Sequence, residues 1–195
     1  MALNLRITNW LNAEAGEVED EETKLFLAEI ERESDRSAVL VTAALIEEVL
    51  SSKCRDWLRH GTTSARDALL SGTGGLATLS SKIDFLFCAG ILSENLRNPL
   101  HALRRLRNRC AHSWTNFQLD HDFAREVLPY LNSRELEQAI EEFVVSECGS
   151  LPQLTPRMRF ELAAGLLMIR CKALSGGGPM SVDVSATVVV PRTDS

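Results

Sequence analysis

Between Thr23 and Leu174 the apolar residues return at intervals of three and four, a period that suits helices and leaves no room for alternating strands. Leu25, Phe26 and Ile30 begin one stripe, and Val39, Leu40, Ala43, Ile46, Val49 and Leu50 carry it to about Arg59, before Gly61. The segment Ala38–Ile46 is apolar nearly all round, the pattern of a central helix enclosed by its neighbours. Ser34 has the chemistry of an N-cap and also fits a helix interior, so the pattern admits one helix or two with a break near Ser34-Asp35. Residues 60–78 are rich in Gly, Ser and Thr and predict loops around a short helix at Ala65–Leu70. A helix over Ser81–Ala89 is expected to turn Ile83, Leu86 and Phe87 inward, with Gly90 just past its end. Asn98-Pro99 reads as N-cap and first position of a helix to about His112, with Leu100, Leu103, Leu106 and Cys110 as its core stripe. Two further helices are predicted over Asp122–Leu131, disturbed by Pro129, and over Arg134–Glu147, capped by Ser133. Thr155-Pro156 opens the last one, to about Leu174, with Phe160, Ala164, Leu167 and Cys171 facing inward. The expectation is an all-α fold, one bundle of about six or seven helices.

The flanks differ in chemistry from this middle. Residues 1–22 end in the acidic run Glu17-Val18-Glu19-Asp20-Glu21-Glu22, which repels itself and is expected to stay solvated, with a short helix around Trp10. Residues 175–195 begin with Ser175-Gly176-Gly177-Gly178-Pro179, a linker composition, and are expected to be disordered. The expected domain is therefore 23–174. The start of the chain does not read as a signal peptide, and no apolar run approaches a membrane span. Five cysteines without a Cys-x-x-Cys pair, set mostly in apolar helical patterns, fit buried reduced thiols and a cytoplasmic setting.

Charge is distributed unevenly. The chain carries a formal −6, yet Arg97, Arg104, Arg105, Arg107 and Arg109 fall between residues 97 and 112 with no Asp or Glu among them. Guanidinium groups so concentrated repel one another unless an anion or an internal carboxylate faces them. Asn108 and His112 share a helix face, while Arg107 lies about 140° round the axis from His112 and reaches it only through its long side chain. On the expected central helix Arg36, Leu40, Ala43 and Glu47 share a stripe, so charges flank a buried apolar patch and need partners. Arg107 is the available cation for Asp35 or Glu47. The candidate binding or site-supporting residues are therefore Asp35, Arg36, Glu47, Arg104, Arg105, Arg107, Asn108, Arg109 and His112.

Other chemistries find little support. Cys110-x-His112 is the one Cys/His cluster, and His60, His101 and His121 are isolated, so no metal or other cofactor is expected. No Gly-x-Ser-x-Gly is present, and the glycines of Ser71-Gly72-Thr73-Gly74-Gly75 lead into Leu76-Ala77 where a phosphate loop requires Lys followed by Ser or Thr. Residues for general acid or base chemistry exist in His112 and Arg107, the second as a stabiliser of developing phosphorane charge. A pI near 5.3 argues against nonspecific coating of nucleic acid but leaves room for a small basic cleft. No helix-turn-helix is found, since the basic helix carries the core stripe itself.

The segments Glu33-Ser34-Asp35-Arg36-Ser37-Ala38, Leu45-Ile46-Glu47-Glu48-Val49-Leu50, Gly75-Leu76 to Lys82-Ile83 with Gly90, and Leu106-Arg107-Asn108-Arg109-Cys110-Ala111-His112-Ser113 together resemble the mannitol operon repressor family. The likeness spans about residues 23–174. It implies an all-helical bacterial negative regulator of transcription in sugar-alcohol uptake, without a standard DNA-binding motif, acting through a protein partner or through nucleic acid on the basic helix. Arg107-x4-His112 with Asn108 is also similar to the signature of HEPN domains. That likeness implies a metal-independent endoribonuclease with Arg107 and His112 catalytic and Asn108 supporting, and a homodimer, since such sites form across two subunits. A protein–protein adaptor, with the acidic N-terminal segment and the basic helix holding different proteins, is the third expectation. Of these, the non-enzymatic regulator is preferred.

Overall fold

The computed structural model describes residues 21–112, 117–119 and 155–174, and within them the chain is all-helical. Six helices are present among these residues: α1 (Glu21–Arg32), α2 (Asp35–Trp57), α3 (Thr63–Leu70), α4 (Leu79–Cys88), α5 (Glu94–His112) and α6 (Pro156–Ala173). The helix expected around Trp10, those over 122–131 and 134–147, the tail from 175, His121 and Cys148 lie outside the described residues.

Local chemistry sets most of the boundaries. The question left open at Ser34 resolves into two helices: Ser34 is extended, and its hydroxyl accepts from the Ser37 amide at 3.2 Å, starting α2. Thr155 caps α6 in the same way through Met158, with Pro156 at the first position. Thr78 and Ser81 cap α4 reciprocally, which starts that helix at Leu79, two residues earlier than expected. Gly90, at φ +72°, ends it: the Ile91 amide reaches back to the Leu86 carbonyl at 3.0 Å and the Gly90 amide to Phe87 at 3.0 Å. A residue other than glycine would be strained there.

One boundary departs from expectation. Asn98-Pro99 does not open α5; the helix begins at Glu94, and Pro99 lies inside it. Proline removes an intrahelical bond at that point. Burial of Leu92, Leu96 and Pro99 itself holds the extra turn in place, so tertiary packing overrides the local preference.

Packing gathers around α2, which touches α1, α4, α5 and α6. Ala38, Val39, Ala43, Ile46, Leu50 and Cys54 are buried along it, facing Leu100, Leu103 and Leu106 of α5 and Ile83 and Leu86 of α4 within one continuous core. The helix is central, as expected, but not enclosed: Leu40, Val41, Leu45 and Val49 are half-buried and Ala44 is exposed. The more fully enclosed helix is α6, where every residue from Leu162 to Met168 is buried. Phe87 also departs from expectation, being 37% exposed with the Arg97 guanidinium 4.8 Å over its ring, while Phe85 meets Trp57 edge-on. The inward face of α4 is Leu79, Lys82, Ile83 and Leu86.

Cys54, Cys110 and Cys171 are buried, and burial pushes their thiols up to about 11, about 12 and about 12 respectively. Cys88 is exposed, contrary to its apolar setting in the sequence. Because the thiolate is the reactive form, maleimide labelling of the native protein is expected to modify Cys88 within minutes. The other three should react only in denaturant. Peptide-resolved mass spectrometry is the check, and rapid native labelling of Cys110 would contradict this packing.

Candidate functional site

The C-terminal half of α5 carries the basic residues, and two clusters from other helices fix its position. At the helix end, the Arg36 guanidinium donates to the Cys110 carbonyl at 2.7 Å. Carbonyls in a last turn have no intrahelical partner, so a cation from α2 both satisfies this one and complements the C-terminal end of the helix dipole. Beside it, the Asp35 carboxylate accepts from Arg157 of α6 at 2.8 Å and from the Leu119 amide at 2.7 Å. Arg157 continues to Glu161 at 2.6 Å and to the Ile30 carbonyl. Asp35 and Arg36 thus tie α1, α2, α5 and α6 together.

The second cluster lies further along α2. Glu47 accepts from Lys82 of α4 at 2.7 Å, and its other oxygen stands 4.0 Å from Arg107. Lys82 is 4% exposed and also donates to the Ala77 carbonyl at 3.3 Å. A cation so buried requires a counter-charge, and Glu47 supplies it.

These contacts revise the expected pairing. Arg107 does reach Glu47, but at the outer limit of an ion pair, and its side chain is 44% exposed. Asp35 belongs to Arg157 rather than to Arg107. Lys82 and Arg157, the cations that hold the two carboxylates most closely, are absent from the residues singled out in the sequence as site candidates. No spacing rule links 35 to 157 or 47 to 82; the one available signal was that Asp35 and Glu47 needed partners.

Arg107 also donates to Asn108 at 3.2 Å, and Asn108 is half-buried. His112 is exposed at the end of α5, and no hydrogen bond joins it to Arg107 or to another described residue. Arg105 and Arg109 are exposed. Arg104 is half-buried, and its Nε is shielded from solvent without a hydrogen-bond partner among the described residues. Arg97 does not belong to this group: it donates to Asp84 at 2.6 Å, and His101 meets the same oxygen at 3.1 Å.

The Arg97 hydrogen bond, aided by His101, holds the Asp84 carboxyl below its ordinary value. A carboxylate pKa depressed by folding stabilises above the unfolded value of about 3.9, and that stabilisation disappears as pH falls through the folded value. Asp84 is 45% exposed, so the effect is expected to stay below about 1 kcal/mol. The melting-temperature gap between the wild type and Asp84→Asn should close as pH falls below the ordinary carboxylate range. A gap that persists in full at that acidity would contradict the assignment.

Among the described residues no three His, Cys, Asp or Glu side chains stand together as metal ligands, and no helix is long and apolar enough to cross a membrane. The Gly-rich turn has a packing role. A Cβ at Gly74 would collide with the Ala68 and Leu69 carbonyls, across which the chain folds back so that the Leu76 amide reaches Leu69 at 2.8 Å.

No protein-family model matches the sequence, and no curated protein sequence matches it. Among solved structures, the X-ray structure of the MtlR-HPr complex from Escherichia coli contains a chain of similar fold, with a TM-score of 0.53 at 17% identity, covering 88% of this chain and 99% of that one. At this identity the likeness is one of fold, and it extends over nearly the whole of both chains.

Proposed function

We propose that this chain is a bacterial negative regulator of transcription of the mannitol operon repressor type, working by docking a protein partner on the basic half of α5. The observation that carries this reading is the clamped, cation-rich helix end. Arg104, Arg105, Arg107, Asn108, Arg109 and His112 lie on one helical segment whose last turn is held by Arg36, in a chain of net negative charge. Preorganised charge of one sign steers an oppositely charged partner and fixes its orientation. The fold likeness adds support, because that structure is of a complex with HPr.

The test is binding of purified HPr to the immobilised chain, measured by biolayer interferometry. Saturable binding that weakens with salt and falls at least tenfold in the Arg105→Glu, Arg109→Glu double variant is expected. Binding untouched by that charge reversal would place the partner elsewhere. A mobility shift with promoter DNA of comparable affinity would move the reading to direct nucleic-acid recognition.

A second reading, the HEPN-like ribonuclease, is favoured by one feature: the His112 ring and the Arg107 guanidinium are both open to solvent at the same helix end. It requires metal-independent cleavage of single-stranded RNA that His112→Ala abolishes. It also requires a dimer, so a clean monomer in light scattering at micromolar concentration would remove the shared groove it needs.

A further inference from the structure

We propose that the flank of α5 formed by Arg104, Arg107 and Asn108 is a seat for a dianionic oxyanion of the phosphate-monoester class. This inference rests on the docking reading of α5 and specifies the chemical group that the helix receives. The three residues occupy positions i, i+3 and i+4, so their side chains are neighbours on one face. Arg104 is half-buried, its Nε is sealed from water without a partner, and no carboxylate among the described residues pairs with it. A buried donor left unpaired is costly. The sealed Nε is itself out of an incoming anion's reach, but the terminal guanidinium nitrogens of Arg104 are not sealed, and an anion with several acceptor oxygens held by them supplies the counter-charge that the described residues do not.

Charge selects the class of anion. Lys82, Arg104 and Arg107 bring three positive charges to this side of the bundle, and Glu47 returns one negative charge, already committed to Lys82 at 2.7 Å. Among the described residues two positive charges stay unbalanced. A carboxylate or a nucleic-acid phosphodiester carries one negative charge, whereas a phosphate monoester carries about −1.5 to −2 at pH 7 and presents three acceptor oxygens. Planar guanidinium groups grip such oxygens in pairs. Access is open, since Arg107 is 44% exposed. Its contact to Glu47 at 4.0 Å is too long for a hydrogen bond, so an incoming oxyanion breaks none there. Asn108 accepts from Arg107 at 3.2 Å through its carbonyl oxygen, which ties the two side chains together.

The experiment is calorimetric titration of the full chain at pH 7.5 and constant ionic strength, with inorganic phosphate, phenyl phosphate and dimethyl phosphate as probes. Inorganic phosphate is expected to bind saturably, at least tenfold more weakly to Arg104→Gln and to Arg107→Gln, and equally well to Arg97→Gln, whose guanidinium is engaged by Asp84. Phenyl phosphate should bind at least tenfold more tightly than dimethyl phosphate. Glu47→Gln, which keeps an acceptor for Lys82, should tighten phosphate severalfold by removing the competing carboxylate. No binding by the wild type, or binding unchanged in Arg104→Gln with the variant folded by circular dichroism, overturns the proposal. Equal affinity for the diester overturns the monoester assignment in favour of a nucleic-acid backbone. Loss of HPr binding in the charge-reversal variant while free phosphate shows no binding would remove the seat and leave the docking reading. Phosphate binding in a chain that fails to hold HPr would do the opposite.

Discussion

Lys82→Ala is expected to destabilise the fold by about 3–5 kcal/mol, because it strands Glu47 between α2 and α4 and leaves a cavity where a 4%-exposed side chain stood. Arg107→Ala, by contrast, should cost less than about 1 kcal/mol, since its contact to Glu47 is long and its guanidinium is screened by water. Urea denaturation compares the two directly, with the slopes checked for two-state behaviour. The double variant Lys82→Met, Glu47→Leu, which removes both charges and keeps volume, should recover most of the stability lost in Lys82→Ala. If Arg107→Ala proved the more damaging substitution, the assignment of Lys82 as the principal counter-ion would fail. The ordering also separates stability from function. Arg107 variants that lose partner or phosphate binding would do so on an intact fold.

Asp35→Ala is expected to have the second large effect, a loss of about 3 kcal/mol. The carboxylate is shared by the Arg157 guanidinium and the Leu119 amide, and Leu119 is 5% exposed, so its N–H would be left unpaired in a dry setting. Glu161 remains on Arg157 at 2.6 Å and limits the damage. Asp35→Asn keeps an acceptor and should cost about half as much. Hydrogen exchange supplies the second readout: the last turn of α5 should lose protection in Asp35→Ala, since Arg36 beside it holds the Cys110 carbonyl. Unchanged protection at residues 108–112 would show that the two clusters act independently.

These two carboxylates mark where sequence and structure part. The helical class, the cap at Thr155, the turn at Gly90 and the core stripes of α5 and α6 were legible, because each depends on contacts within a few residues along the chain, whereas Ser34 fitted a cap and a helix interior equally well. The basic character of α5 was legible too, and so was the need of Asp35 and Glu47 for partners. Their partners were not. Arg157 lies 122 residues from Asp35, and Lys82 lies 35 from Glu47, so both pairs exist only once α2, α4 and α6 have packed. The start of α5 shows the same limit from the other side, since the preference of Asn98-Pro99 for a helix start lost to burial of Leu92 and Leu96 one turn earlier.

What the sequence by itself determined, then, is what short-range chemistry can determine: the helical class of the described residues, the cap at Thr155, the buried stripes of α5 and α6 and a cationic segment at residues 97–112. The tertiary structure decided how that segment is used. By drawing Arg97 onto Asp84, placing Arg36 on the end of α5 and giving Glu47 to Lys82, it left Arg104 without a carboxylate among the described residues and Arg107 with a distant one. Charge pairing follows distance in space, and the helix packing that sets those distances is carried by apolar contacts that say nothing about which cation will meet which carboxylate.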